Sequence, residues 1–540
     1  MRLSFFSAAL LAGKTALVAA SPVKPRSSSS PSVTIQNGTV LGVELSGLSQ
    51  EVFLGIPFAQ PPLGDLRFRR PQSINSTFEG GVFEAFQYSP YCPGIASNGP
   101  NESEDCLTLN IVRPAGTSEV DRLPVATWIY GGSFQRGGSA NPEYNTSYIV
   151  QRSVEMGMPI IAVSVNYRTN VLGFFNSKEL KEEGSQNAGI YDQRLALHWI
   201  QENIGAFGGD ASKVTIWGES AGAISVAYHL IAYGLISSPL FSAAILESGN
   251  AHTTQFAPLE RSQQQFDAVL AGTGCASAVD ALGCLRALPF SEINKTSSAF
   301  SFFPVVDGEL ISAYPSTTLD AGSFVQVPVL MGVNTDEGTS FGSDNLTTTA
   351  DLAASLLSSF PGLSNSSIEK LFELYSDDPS EGCPYNTGDT VLSTGLQDKR
   401  SNAIVGDLRF HAGRRELAEL MSKSVPVYSY HFDQATQNAT VEMGVTHFDE
   451  VDYVFGIPEY QGDRPGDRNL SRLMTSQWVS FMHDHTPNNH GIPDVPTWPT
   501  YNTSAPTNLY YSRKEVRLEA DDWRKEQLAF VTSLNGELWA

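Results

Sequence analysis

The chain has 540 residues, 41% of them hydrophobic and 17% charged, and a formal net charge of −23. That apolar share is ample for a large core, and the length suits an α/β fold grown by insertions around one sheet. The acidic balance argues against nucleic acid and against an anionic membrane surface as partners, and it says little about a substrate.

Residues 1–20 have the pattern of an export signal. Arg2 gives a short basic start, Leu3 to Leu11 is nearly all apolar, Lys14 interrupts the run, and Val18-Ala19-Ala20 before Ser21 suits small-residue cleavage. The polar stretch over residues 21–32 reads as a disordered leader, and residues 33–540 as a single catalytic domain. No later segment approaches the roughly 18–20 continuous apolar residues of a membrane span, so no stable membrane insertion is expected. The tail, Leu534 to Ala540, carries neither a hydrophobic anchor signal nor a retention tetrapeptide.

From Val33 to Phe53 the chain looks like a set of short antiparallel hairpins. Six later runs are apolar on both faces, as buried parallel strands require: Val125–Tyr130, Pro159–Tyr167, Val214–Trp217, Ala243–Glu247, Val327–Val333 and Val425–Phe432. Helical segments such as Asp192 to Ile200 lie between them, so the order points to an α/β fold with a large, mostly parallel central sheet flanked by helices. Sequons at Asn37, Asn75, Asn101, Asn145, Asn294, Asn345, Asn365, Asn438, Asn469 and Asn502 suggest a glycosylated, secreted protein. Pairing neighbours in sequence gives disulfides Cys92–Cys106 and Cys275–Cys284 and leaves Cys383 as a buried free thiol. No histidine pair sits at ligand spacing near the cysteines, so no metal and no cofactor is expected.

The most informative segment is Gly218-Glu219-Ser220-Ala221-Gly222, between the strand-like Lys213 to Trp217 and the helix-like Ala223 to Leu230. A serine hydroxyl is a poor nucleophile unless a tight turn presents it beside a base, and glycines two before and two after let that turn close. In this context the pattern reads as the nucleophile elbow of an α/β-hydrolase fold, with Ser220 as nucleophile. A second match, Gly338 to Gly342 around Ser340, follows Asp336 and Glu337 with too little strand before it. Turn and cap residues come after it, so it is not an elbow.

Ser220 needs a base, and His447 lies on a loop after a strand, in the chain order of this fold, with the acid before the histidine. His198 and His229 sit in helical runs, and His483, His485 and His490 cluster in a polar stretch without a completing carboxylate. A carboxylate should stand behind the imidazole. Asp336 and Glu337 both qualify by pattern, as neighbours at a strand end whose side chains leave on opposite faces. Asp307 reads as a turn residue.

These motifs resemble the type-B carboxylesterase/lipase family, which includes cholinesterases and secreted fungal lipases. The likeness rests on the Ser220 elbow with Ala206-Phe207-Gly208-Gly209-Asp210 upstream, Glu104-Asp105-Cys106-Leu107-Thr108-Leu109-Asn110, Thr335-Asp336-Glu337, and Gly444-Val445-Thr446-His447. The stretch from Asp398 to Phe410 is similar to the fungal branch. The resemblance implies Glu337 as the acid and Asp336 as a structural cap. It implies oxyanion donors at Gly132, Ser133 and Ala221, although Ser133 stands where the family often has glycine. It further implies supporting roles for Glu219 and Ser248 around the histidine, and structural ion pairs Arg67–Glu104 and Arg168–Asp192.

Together these features imply a secreted carboxylic-ester hydrolase that forms an acyl-enzyme and takes a small-molecule ester. Lipases of this family carry a long apolar lid in the first disulfide loop, and cholinesterases a tryptophan there. Here Pro93 to Asp105 is short, polar and without an aromatic, which favours dispersed or short-to-medium acyl esters over triacylglycerol or sterol esters. An esterase tailoring one secondary metabolite differs only in substrate. A non-catalytic adhesion or scaffold protein would be expected to lack a complete triad and to carry an anchor. Nothing in the sequence speaks to oligomeric state.

Overall fold

The computed structural model describes residues 30–95, 101–235, 240–390, 395–459 and 464–540. The expected signal segment and most of the leader, over residues 1–29, lie outside them, as do residues 96–100 of the first disulfide loop.

Six buried, β-branched runs form the middle of one sheet. In chain order the strands are β1 (Ser32–Ile35), β2 (Gly38–Leu41), β3 (Val43–Leu45), β4 (Gln50–Pro57), β5 (Val82–Glu84), β6 (Thr108–Pro114) and β7 (Leu123–Ile129). They continue as β8 (Ile161–Val165), β9 (Gly209–Glu219), β10 (Ala243–Glu247), β11 (Val329–Asn334), β12 (Val427–Phe432), β13 (Thr507–Tyr511) and β14 (Val516–Ala520). The large sheet has the order β14-β13-β12-β11-β10-β9-β7-β8-β6-β4-β3, while β1, β2 and β5 form a small separate sheet. From β8 through β13 every neighbouring pair is parallel; the antiparallel pairs are confined to the two edges.

This arrangement is the expected mostly parallel α/β sheet, and short antiparallel strands do stand at its N-terminal end. Two details differ from the sequence reading. The early hairpins divide between two sheets, and β6, not marked as a strand beforehand, is almost wholly buried between β4 and β8. Its buried Thr108, Asn110 and Arg113 interrupt the apolar run by which the other central strands are read. Between β9 and β7 the core is aromatic: Trp128 and Trp217 meet at 4.5 Å between ring centroids, and Phe455 stacks on Trp217 at 4.6 Å. A second, smaller cluster of buried side chains gathers helices Thr349–Ser359, Asn365–Leu374, Asp398–Gly406 and Lys525–Ser533.

The parallel strands share a direction, so their carboxyl ends lie along one edge of the sheet. Segments leaving β7, β9, β10, β11 and β12 carry Gly132, Ser220, Ser248, Glu337 and His447. Open α/β sheets place their ligand sites at this end.

Candidate active site

β9 ends at Glu219, and helix Ala221–Ile231 begins two residues later, with every residue of the helix buried. Between them Ser220 adopts φ 54°, ψ −125°, a left-side conformation that costs a non-glycine residue about 1–3 kcal/mol. The Ser220 amide donates to the Glu247 carbonyl at 2.9 Å, which ties the turn to the end of β10. Glycine is required two residues on: a Cβ on Gly222 would lie 2.0 Å from the Ile129 carbonyl oxygen, a backbone atom that cannot yield. The serine is thus pressed against the end of β7, with its own side chain largely buried.

His447 lies on the loop after β12. Its Nδ1 is 2.6 Å from Glu337 Oε2, and Glu337 Oε1 accepts the Asn334 amide at 2.9 Å. The contact fits an Nδ1–H donating to the carboxylate, the tautomer that leaves Nε2 as an acceptor. Glu219 Oε1 stands 3.0 Å from Nε2, close enough for an ion pair, yet at a geometry that makes no hydrogen bond. Phe341 and Phe410 pack on the imidazole at 4.9 and 4.8 Å between ring centroids, which keeps water from its faces.

Asp336 faces another way. Its Oδ2 accepts the Val445 amide and its Oδ1 the Tyr385 amide, both at 2.8 Å, and the Cys383 thiol donates to Oδ1 at 3.5 Å. The two acids separate because Glu337 starts a 3-10 turn, Glu337–Ser340, so strand alternation is not the cause. Asp336 therefore holds the segment two residues before His447, and burial pushes its carboxyl up to about 7.

Behind this pair stands a residue that sequence reasoning did not single out. Glu450 Oε1 accepts the Ser248 hydroxyl at 3.0 Å, and its Oε2 accepts from Asn334 Nδ2 at 2.6 Å. Ser248 thus bonds Glu450 instead of the histidine–carboxylate pair. Asn334 joins both acids, since its amide reaches Glu337 and its side chain reaches Glu450 and the Thr446 carbonyl. Burial, then the Glu337 charge, raises Glu450 to about 7. Burial and the nearby Glu450, Glu337 and Glu247 raise Glu219 well above the usual carboxylate range. Glu247 accepts from the indole nitrogens of Trp217 and Trp478, and burial raises it strongly too. The available sequence signal for Glu450 was its position three residues after His447, in an acid-rich turn.

The loop after β7 runs through three consecutive positive-φ residues, Gly132 at 95°, Ser133 at 57° and Phe134 at 61°. The Gly132 carbonyl turns back to accept the amides of Gln135 and Arg136 at 3.0 and 3.2 Å, and the Phe134 carbonyl accepts the Asn170 amide at 2.7 Å. Tyr130 and Tyr167 stack at 4.4 Å and each donates its hydroxyl to the other's carbonyl, which clamps the base of the loop.

The carboxylesterase family sequence profile matches residues 29–531. The chain belongs to the carboxylesterase family. It is 35% identical over 537 residues to secreted lipase 1 of Botryotinia fuckeliana, covering 91% of each chain. It is 34% identical to lipase 2 of Diutina rugosa over 522 residues, covering 88% of this chain and 90% of that one. Among solved structures it is similar to Aspergillus niger EstA, with a TM-score of 0.84 and 29% identity over 95% of this chain and 99% of that one. The fold is accordingly the α/β-hydrolase fold, and the activity that of a serine carboxylic-ester hydrolase.

The remaining sequence-selected residues of this carboxylesterase have structural surroundings. Ser340 lies on the 3-10 turn, and its hydroxyl meets Thr446 Oγ1 at 2.7 Å. Asp307 Oδ1 accepts the amides of Glu309 and Ile311 at 2.9 and 3.0 Å, as a turn residue does. His229 is buried against Gln193, and burial lowers it to about 3. The disulfides are Cys92–Cys106 and Cys275–Cys284, and Cys383 is buried and free. Arg67 grips Glu104 through two bonds at 2.6 and 2.7 Å and donates to carbonyls of Leu285, Arg286 and Leu288, joining the neighbourhoods of both disulfides. Arg168 and Asp192 form a fully buried pair at 2.7 Å.

Proposed function

We propose that this carboxylesterase is a secreted enzyme that cleaves dispersed esters of short-to-medium acyl chains through a Ser220–His447–Glu337 triad. In this reading His447 Nε2 takes the proton from Ser220 Oγ as the oxygen attacks the ester carbonyl carbon. The amides of Gly132, Ser133 and Ala221 stabilise the resulting oxyanion. The imidazolium then gives its proton to the departing alcohol, leaving an acyl-enzyme. Water, deprotonated by the same nitrogen, releases the acid. Glu337 holds the tautomer and balances the imidazolium charge.

The observation that carries the reading is the 2.6 Å contact between Glu337 and His447 Nδ1, with Nε2 left without a hydrogen-bond partner beside the residue that precedes Ser220. Secretion is supported by the export pattern of residues 1–20, by two disulfides, and by ten sequon asparagines of which none is buried. Labelling by an organophosphate, with the adduct located by mass, tests the nucleophile: it must fall on Ser220 and vanish in Ser220→Ala.

A triacylglycerol lipase is the second reading, favoured by relatives bearing that name, such as a secreted triacylglycerol lipase of Gibberella zeae at 32% identity. Against it stands the polar composition of Pro93 to Asp105, which offers little apolar area to an oil surface. Rates on tributyrin below and above saturation separate the two, since a sharp rise at the emulsion point would favour the lipase.

A further inference from the structure

Acids outnumber bases 57 to 34 in this chain, yet one cavity of about 390 Å³ has no carboxylate among the described residues of its wall. Two arginines line it, Arg261 and Arg409, and Phe300, Phe303, Val305 and Trp539 supply apolar wall. Arg409 stands on a π-helical turn, Asp407–His411, an irregularity that is frequent at functional sites. Its guanidinium carbon lies 5.1 Å from the Phe360 ring centroid and 5.8 Å from that of Phe341. Its Nε is buried without an acceptor, and among the described residues no carboxylate pairs with it. Ring faces attract the cation but take none of its five N–H donors in conventional hydrogen bonds. Burial lowers Arg409 only to about 10, so it remains a cation at neutral pH.

The guanidinium is half-buried, and its sealed Nε lacks an acceptor, an arrangement that is costly until something supplies an anion. Its planar fork matches a carboxylate through two parallel bonds. The Phe341 ring beside Arg409 also packs edge-on against His447, at 78° between planes, so one aromatic ring separates the cation from the imidazole.

We propose that Arg409 makes this cavity a binding site for the carboxylate of an aliphatic acid, whose chain lies along the phenyl and indole walls. Two sources share that chemistry. One is the free acid end of a half-ester substrate, an ester of a dicarboxylic acid whose second carboxyl is ionised; this source rests on the ester-hydrolase reading. The other is a free fatty acid, the product of a plain alkanoate ester.

Calorimetric titration of Ser220→Ala protein with octanoate, with monomethyl suberate and with octan-1-ol tests the site without turnover. Both carboxylates should bind more tightly than the alcohol, and adding Arg409→Met should weaken them roughly ten- to hundredfold, the cost of losing hydrogen bonds to a charged group. Arg409→Lys, which keeps the charge without the fork, should fall between. Equal binding of alcohol and acid, or carboxylate affinity unchanged by Arg409→Met in a folded protein, would overturn the proposal.

Two activity measurements then assign the source. A higher kcat/KM for mono-4-nitrophenyl suberate than for 4-nitrophenyl octanoate, with the ratio collapsing in Arg409→Met, supports the half-ester. Octanoate inhibition that weakens in Arg409→Met, without half-ester preference, supports the free acid. Absence of hydrolysis of every ester would sink the proposed activity while leaving the titration to decide the site.

Discussion

Two regions on either side of Phe341 are built with opposite charge. On one side Glu219, Glu337 and Glu450 crowd around a single imidazole, with Glu247 close enough to raise the proton affinity of Glu219 further. On the other, the described wall of the Arg409 cavity has cations and no acid. The first follows from topology, because strands β9, β10 and β11 deliver carboxylates to the same edge of one sheet. The second is a local departure from a strongly acidic chain. Burial sharpens the first, since like charges in a dry site raise one another's proton affinity.

The largest effects should come from the acid-rich side. Ser220→Ala should cut turnover by about 10⁴-fold or more while the protein stays folded. Glu337→Gln should approach that loss, because the amide no longer fixes the imidazole tautomer; an equivalent Asp→Asn change in a serine protease costs about 10⁴. Asp336→Asn is the contrast. It turns a donor toward the Val445 or Tyr385 amide, so it should lower stability by about 1–3 kcal/mol and leave kcat of the folded fraction largely intact. Thermal melts beside active-site-titrated kinetics decide between them. A folded Asp336→Asn protein without turnover, with Glu337→Gln still active, would reverse the assignment of the two acids.

A smaller effect tests whether the outer carboxylate positions the inner one. Glu450→Gln replaces an acceptor of Ser248 and Asn334 by a group that is half donor, and kcat should fall by roughly tenfold, about 1.4 kcal/mol. Ser248→Ala removes one of the same bonds and should cost less. If both act through Asn334 and Glu337, the double variant loses less than the product of the single effects. Fully multiplicative losses would show Glu450 acting apart from this network.

The sheet and the elbow were legible because their signals are local. Six runs apolar on both faces gave the six parallel strands from β7 to β12, and Gly218 to Gly222 stood between a strand pattern and a helix pattern. β6 was hidden because buried Thr108, Asn110 and Arg113 break up its apolar run, and a strand covered on both faces has no alternation to fall back on. Glu450 and Asn334 were hidden for another reason. Their role comes from a meeting of segments more than a hundred residues apart, and either alone looks like an ordinary polar residue in a turn. Arg409 was seen only as part of the stretch resembling fungal relatives, since its lack of a counter-charge is a property of the folded cavity.

The smallest expected change per group, and the most general, is in stability against pH. Asp336 and Glu450 are raised by burial from ordinary values near 4 to about 7, and both are nearly solvent-free. The folded state therefore holds these protons more tightly than the unfolded chain does. Between pH 4 and 7 the folded protein binds more protons, so these groups destabilise it progressively as pH rises through that window and level off above 7. Asp521 works in the opposite sense: bonds to Arg414 and Arg415 hold it far below the usual range, and its contribution is lost only in strong acid. The melting temperature should accordingly be higher near pH 5 than near pH 8. Replacing Glu450 by Gln should flatten the slope between those values, because a neutral side chain at that position has no proton to lose. A melting temperature that climbs steadily from pH 5 to pH 8 would mean that the crowded acids are already ionised, and that the contrast with the Arg409 cavity is one of position alone.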